Sequence, residues 1–126
     1  MIARTPLCFG FLSGKVVSNA GFEKGDHRWG WSLEQRQRWA EGALRLFGDI
    51  GVPPGQTETQ VALRFCLSFP AVSTVIPGIL TPEQADENAA ASDFGPLLPD
   101  QIERVRETNR HMGFFVSPSR AETLPA

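Results

Sequence analysis

The stretch Val72-Ser-Thr-Val-Ile-Pro-Gly-Ile-Leu-Thr-Pro-Glu-Gln-Ala-Asp-Glu-Asn88 decides the fold class. Its first five residues are mostly β-branched and show almost no polar alternation, which predicts a strand buried on both faces, as in a parallel sheet. Pro77-Gly78 turns the chain out of that strand, and Thr81-Pro82-Glu83-Gln84 is a capping-box pattern with proline at its favoured first helical position. The stretch therefore predicts a βα unit whose helix runs to about Ala91.

A second strand and two loops are predicted near the N-terminus. Met1-Ile2-Ala3 is short and apolar, which predicts the end of a buried strand. Residues 7–14 predict an apolar loop, and residues 15–30, which are polar and rich in glycine, predict a long surface loop. Loops of that length within compact domains are often functional.

Further helices are expected between and after the two strands. Capping-box patterns at Ser32 and Thr57 predict two helices, the first ended by Gly48 and Gly51 and the second by Pro70. Pro99 opens a last helix. The order strand, loop, helix, helix, strand, helix, helix indicates parallel βα units, although two strands alone would leave both sheet edges unpaired.

The composition of the 126-residue chain excludes several classes of function. Twelve Lys and Arg against fourteen Asp and Glu give a formal charge of −2, so no charge excess for binding nucleic acid is present. No apolar run approaches the roughly 18 residues of a membrane span, and no signal peptide is recognised. Two cysteines are too few for a disulfide framework and favour a cytoplasmic location. The chain has no tyrosine, which excludes a phenol as proton donor.

The βα turn offers a first candidate site. Backbone N–H groups at a helix N-terminus suit a phosphate, and Gln84 and Asn88, four residues apart, would share a helix face beside it. The alternative is an ordinary βα connection with a good N-cap, which the spacing alone favours.

Other motifs carry weaker signals. Phe9-Gly-Phe-Leu-Ser-Gly-Lys15 is similar to a phosphate-binding loop, but its glycines are one residue too close and Val16 replaces the Ser or Thr that would hold magnesium. His27 is expected to be a solvated loop residue, and Cys8 and Cys66 to be buried thiols. No metal site is predicted, because the histidines and cysteines show no paired-ligand spacing.

Three stretches together resemble the C-terminal part of the aldo-keto reductases. Ile2-Ala-Arg-Thr-Pro-Leu-Cys-Phe-Gly-Phe-Leu-Ser-Gly-Lys15 looks like the seventh strand of that family and its following loop. Residues 62–78 and 81–88 resemble the seventh helix, the eighth strand and the eighth helix, and residues 22–35 contain what looks like an insertion of some bacterial-type members. The resemblance implies an α/β fold: a partial, helix-rich TIM (β/α)8 barrel, comprising its last two βα units and terminal helix. The resemblance covers about residues 2–108. We assign residues 1–112 to this aldo-keto reductase-like fragment and expect residues 113–126 to form a flexible tail.

The resemblance implies a cofactor, because aldo-keto reductases reduce carbonyls with NADP(H) or NAD(H). The positions that match the family's pyrophosphate side are Thr5, Pro6, Leu7, Gly10 and Lys15, and those that match its adenosine side are Gly78, Leu80, Gln84, Glu87 and Asn88. Leu80 stands where many members carry Arg or Ser against the adenosine 2′-phosphate, which leaves the preference for NADPH over NADH open. Arg4 stands where many relatives place an aromatic side chain on nicotinamide.

The family's catalytic Asp, Tyr, Lys and His come from earlier strands, which the resemblance does not reach. We therefore expect no catalytic residue in this chain and no carbonyl reduction by this polypeptide alone. The expected partners are a nicotinamide dinucleotide and, through the open strand edges, the remaining barrel portion or a second copy. Two alternatives remain: a non-catalytic α/β protein that acts through those edges, and a small module that binds a phosphorylated ligand at residues 78–88.

Overall fold

The computed structural model describes residues 1–16 and 21–116. In chain order, its strands and α-helices are β1 (Ile2–Arg4), α1 (Leu33–Ile50), α2 (Glu58–Leu67), β2 (Thr74–Ile76), α3 (Pro82–Ala90) and α4 (Pro99–His111). Short 3₁₀ segments lie at Cys8–Ser13, His27–Gly30 and Ala91–Phe94. The predicted order of strands and helices is confirmed.

The two strands form a parallel sheet, as the β-branched stretch predicts. Ile2 pairs with Thr74, Ala3 with Val75 and Arg4 with Ile76. The expectation of a strand buried on both faces is wrong, since only the central residue of each strand is half-buried and its neighbours are exposed. The physical reason is that, among the described residues, α2 packs against β2 and partly covers the central residues, while the outer residues of both strands stay open to solvent.

Side-chain caps fix where three helices begin. Ser32 Oγ accepts from Gln35 N at 3.1 Å, and Thr57 and Gln60 form a complete capping box at the start of α2. At α3 the Thr81 hydroxyl accepts from Gln84 N at 3.3 Å, but the Gln84 side chain accepts from Leu80 N, one residue before the expected partner. The capping patterns therefore predict all three starts correctly.

The predicted helix ends are confirmed in part: Gly51 ends α1 as predicted, but Gly48 does not, and α2 ends before Pro70. α1 continues through Gly48 and ends at Gly51, where φ is 73° and the N–H bonds to the Phe47 carbonyl. α2 ends at Leu67, three residues before Pro70, where the Ser68 N–H bonds to the Phe65 carbonyl at 3.2 Å instead of continuing the α-helical pattern. A solvent-exposed glycine such as Gly48 weakens a helix without ending it.

The predicted apolar loop after β1 is tightly wound into short helical turns. Residues Cys8–Ser13 form 3₁₀ turns interrupted at Phe9 and Gly10, where φ is 56° and 94°. Thr5 and Cys8 also have positive φ, at 54° and 47°. Non-glycine residues rarely adopt this conformation, so surrounding contacts must hold the segment in place.

Two apolar clusters hold the helices together. One joins α1 and α2 with the loop before α4, through buried Ala43, Phe47, Val61, Ala62 and Leu97. The other is aromatic: Phe11 and Trp39 are buried at 1% and 2% exposure, with Phe9 and Phe114 packed against them. This second cluster fastens the segment after β1 to α1.

The beginning of the expected tail contacts α1. Gln35 Nε2 donates to the Phe114 carbonyl at 2.7 Å, and Val116 N donates to Gln35 Oε1 at 2.8 Å. Phe115 lies edge-on to Trp39 with the ring centroids 6.0 Å apart. Residues 117–126, the remainder of the expected tail, lie outside the described residues.

Candidate functional site

The carboxyl ends of the two strands lie side by side. Because Arg4 pairs with Ile76, the segments that begin at Thr5 and at Pro77 leave the sheet next to each other. In parallel α/β folds ligands bind at this end of the strands, in the loops that follow them. The structure thus brings the two predicted groups of cofactor-binding residues to one end of the sheet.

The first group lies on a tightly wound backbone. Pro6 is buried and Leu7 half-buried, and the Leu7 carbonyl accepts from both Gly10 N at 2.9 Å and Leu12 N at 3.1 Å. A Cβ at Gly10 would lie 3.3 Å from Val16 Cγ2 and 3.5 Å from Arg28 Nη1, in a conformation with φ of 94°. Gly10 therefore meets both a steric and a conformational requirement for glycine.

Lys15 and Glu87 connect the two groups. Lys15 Nζ lies 3.3 Å from Glu87 Oε2 and forms an ion pair between the segment after β1 and α3. The pKa of Glu87 is lowered, chiefly by a hydrogen bond from the Thr57 hydroxyl and further by Lys15, against the opposing effect of partial burial. Gln60 Nε2 donates to the Glu87 carbonyl at 3.1 Å, which adds the start of α2 to the same junction.

The second predicted group, on the adenosine side, begins with residues that are exposed to solvent. A Cβ added to Gly78 would meet no atom within 4 Å, and the Leu80 side chain is 91% exposed. Leu80 N donates to Gln84 Oε1 at 2.8 Å, so the Gln84 amide is turned toward its own loop.

The N-terminus of α3 is poorly suited to hold a phosphate. Gln84 N is already used by the Thr81 hydroxyl at 3.3 Å. The Glu83 carboxylate occupies the first turn, and a hydrogen bond with its own backbone N–H lowers its pKa. Pro82 has no N–H to offer. The first-turn donors that the sequence suggests for a phosphate are thus largely satisfied within the chain.

Asn88 has an unsatisfied amide. Its Nδ2 is buried and has no hydrogen-bond partner among residues 1–16 and 21–116. Buried side-chain donors are nearly always paired, so an orphan of this kind calls for an acceptor that the described residues do not supply. Asn88 follows Glu87 directly, so the orphan donor belongs to the same turn of α3 as the Lys15–Glu87 ion pair.

Arg28, which the sequence places in a polar loop with Asp26 and His27 and does not predict as a binding residue, lies beside the segment after β1. Asp26 holds its guanidinium through Nη2–Oδ2 at 2.6 Å and Nε–Oδ1 at 2.9 Å, and Nη1 donates to the Phe9 carbonyl at 3.4 Å. The same guanidinium lies 4.3 Å from the centroid of the Phe22 ring. The hydrogen bond from Arg28 holds the pKa of the Asp26 carboxyl well below its usual range. An arginine in a polar loop carries no signal of such a placement.

The remaining candidates lie outside this junction. The His27 side chain is exposed, as expected, and its ring lies 5.5 Å from that of Phe9. Cys8 and Cys66 are half-buried rather than fully buried, and burial raises the pKa of the Cys8 thiol to about 11 and also raises that of Cys66. Among residues 1–16 and 21–116, no group of three or more His, Cys, Asp or Glu is placed to hold a metal ion. In the same residues no helix has the length and apolar character to cross a membrane.

Comparison with known proteins extends these observations. The sequence profile of the Aldo/keto reductase family matches residues 1–110. The chain is 36% identical over 115 residues to a probable voltage-gated potassium channel subunit beta of Arabidopsis thaliana, covering 80% of this chain and 33% of that protein. It is 33% identical over 111 residues to a putative voltage-gated potassium channel subunit beta of Schizosaccharomyces pombe, covering 82% and 32% respectively.

Solved structures give the fold. The chain is similar to an aldo-keto reductase of Bacillus halodurans in its apo and holo forms, with a TM-score of 0.55 and 19% identity to each. The similarity covers 96% of this chain but only 37% and 36% of those chains. The fold is thus part of a (β/α)8 barrel, with the candidate site in the loops after two adjacent strands.

The chain belongs to the aldo/keto reductase family. It spans about one third of the length of the relatives that it matches.

Proposed function

We propose that this chain supplies the pyrophosphate and adenosine side of the nicotinamide dinucleotide site of an aldo-keto reductase. The observation that carries the proposal is the junction of Lys15, Glu87 and Asn88, which joins the segment after β1 to α3 and leaves one buried amide donor without a partner among the described residues. Family membership and the holo form of a structural neighbour support a nicotinamide cofactor.

The residues present fit such a cofactor at both of its ends. Lys15 and Arg28 lie beside the glycine-containing segment after β1, and each is paired with a carboxylate, Glu87 or Asp26. A pyrophosphate would bind there by sharing or replacing those carboxylates as the acceptor. The Asn88 side-chain amide has an N–H donor that could hydrogen-bond to a purine ring nitrogen. When bound, the cofactor would supply a hydride to a carbonyl, and the residues described here would bind and orient it.

The 126-residue polypeptide is expected to bind the cofactor without reducing a carbonyl. It contains no tyrosine to act as the family's general acid, and a positioned acid commonly contributes about 10²–10⁴-fold to the rate. NADPH oxidation by an aldehyde in the presence of this polypeptide alone would contradict that expectation.

Titrations with NADPH, NADH and ATP test the cofactor proposal. We expect saturable binding of both dinucleotides, and little difference between them because Leu80 cannot pair with a 2′-phosphate. Tight ATP binding without binding of either dinucleotide would favour a module for phosphorylated ligands. The occupied first turn of α3 argues against that alternative.

Two further proposals concern the partners of the chain and its location in the cell. The exposed strand edges suit pairing with the remaining portion of a barrel or with a second copy of the chain. A cytoplasmic location accords with the two unpaired cysteines, and fractionation of tagged protein would test it.

A further inference from the structure

Gln60, in the first turn of α2, uses its amide in two directions. Oε1 accepts from Thr57 N at 3.0 Å and completes the capping box. Nε2 donates to the Glu87 carbonyl on α3 at 3.1 Å. The residue is only 7% exposed, so both bonds lie in a partly buried environment. A single amide therefore ties the start of α2 to the second half of α3.

The second bond is more than capping requires. A capping box needs only an acceptor, so glutamate serves it as well as glutamine. Gln60 Nε2 is the donor that a glutamate would lack, and it bonds to the Glu87 carbonyl, which directly precedes Asn88. The Glu87 carboxylate is held at the same time by Thr57 and Lys15. This part of α3 is thus fixed by its backbone and by its side chain, next to the orphan Asn88 amide.

We propose that Gln60 is a positioning residue for the adenosine end of the cofactor. It contacts no cofactor itself; it fixes the Glu87–Asn88 peptide so that the Asn88 amide is held ready to donate. The inference rests on the function proposed above. It predicts that loss of the Gln60 donor weakens binding of the adenosine part and leaves pyrophosphate binding unaffected.

The chain contains a matched control in Gln101. In the first turn of α4, Gln101 Oε1 accepts from Leu98 N at 3.1 Å and Nε2 donates to the Ile50 carbonyl at 3.2 Å. The two glutamines therefore make the same pair of bonds at the same helix position. Gln101 joins α4 to the end of α1 and makes no hydrogen bond with the loops of the candidate site among the residues described.

The experiment compares ADP with inorganic pyrophosphate by calorimetric titration of the whole 126-residue chain. Gln60→Glu keeps the capping acceptor and removes the donor, whereas Gln60→Met removes both without adding charge. We expect both variants to raise the Kd for ADP by about five- to tenfold, the effect of one lost hydrogen bond, and to leave the Kd for pyrophosphate within about twofold. Gln101→Glu and Gln101→Met should leave the ratio of the two constants unchanged.

The outcomes separate this inference from the proposed function. Wild-type chain that binds neither ligand overturns both. If the wild-type chain binds ADP but the Gln60 variants lose affinity for ADP and pyrophosphate to the same extent, the positioning role alone is overturned. The same holds if the variants lose affinity for neither ligand. If Gln60→Met does not fold, the two titrations of Gln60→Glu decide the question, because an added negative charge would weaken pyrophosphate, the more highly charged ligand, at least as much as ADP. Loss of both ligands in that variant also overturns the inference.

Discussion

Leu80 allows a prediction about the preference for NADPH over NADH. It is 91% exposed beside the loop that we propose for adenosine, at a position where a charged partner for a 2′-phosphate is absent. Leu80→Arg should create a preference for NADPH over NADH of about tenfold or more, because charge-assisted hydrogen bonds contribute about 1.5–3 kcal/mol. Titration of both dinucleotides measures the ratio. Leu44→Arg, at a 74% exposed position on α1, is the control and should not change it. An equal gain for both dinucleotides would point to general charge attraction instead.

Cys8 gives a pH-dependent prediction. Burial raises the pKa of its thiol from 9.0 to about 11, so the unfolded chain ionises first as the pH rises. The stability that comes from the neutral thiol is therefore complete below about pH 9 and is lost between pH 9 and 11. At pH 9, iodoacetamide should modify Cys8 much more slowly in native chain than in urea, as measured by peptide mass spectrometry. Equal rates in the two states would show that the thiol is not protected.

Two glycines of α1 allow the packing of Phe114 against this helix to be tested, one as the test position and the other as its control. A Cβ at Gly42 would lie 2.4 Å from Phe114 Cε1, whereas a Cβ at Gly48 would meet no atom within 4 Å. Gly48→Ala should stabilise the chain by about 0.5–1 kcal/mol through helix propensity. Gly42→Ala should instead destabilise it by about 1–3 kcal/mol, since Phe114 must move from its place. Urea denaturation measures both, and stabilisation by both substitutions would show that residues 113–116 do not pack on α1.

Local chemistry explains which elements the sequence could predict. Ser32, Thr57 and Thr81 mark three helix starts, because a cap depends on residues only three apart. The positive φ of Thr5 and Phe9 could not be predicted in this way, since aromatic packing against Trp39 from another element holds that segment. The Lys15–Glu87 pair joins residues 72 positions apart and depended on the family resemblance. The position of Arg28 could be predicted neither from local capping patterns nor from the family resemblance, because it is set by Asp26 and by the Phe9 carbonyl.

At the scale of the whole molecule, the open sheet determines how the chain should behave in solution. Ile2 and Ile76 lie on the uncovered face of the sheet, 60% and 52% exposed, and each strand has one edge without a paired strand among the described residues. Unprotected edges of this kind are templates for pairing with another chain. The family's barrel closes such edges with neighbouring strands, so the same surfaces would be buried there.

We therefore expect the 126-residue polypeptide to self-associate. Its mass by light scattering after size exclusion should rise from 13.8 kDa toward at least twice that value as the concentration increases. Ile76→Lys places a charge on the open face and should shift the chain toward monomer, because lysine at a sheet edge opposes pairing. Leu98→Lys, at a 62% exposed position before α4, adds the same charge away from the sheet and should leave the association unchanged. A wild-type chain that stays monomeric at every concentration would mean that the open edges are protected by the chain itself.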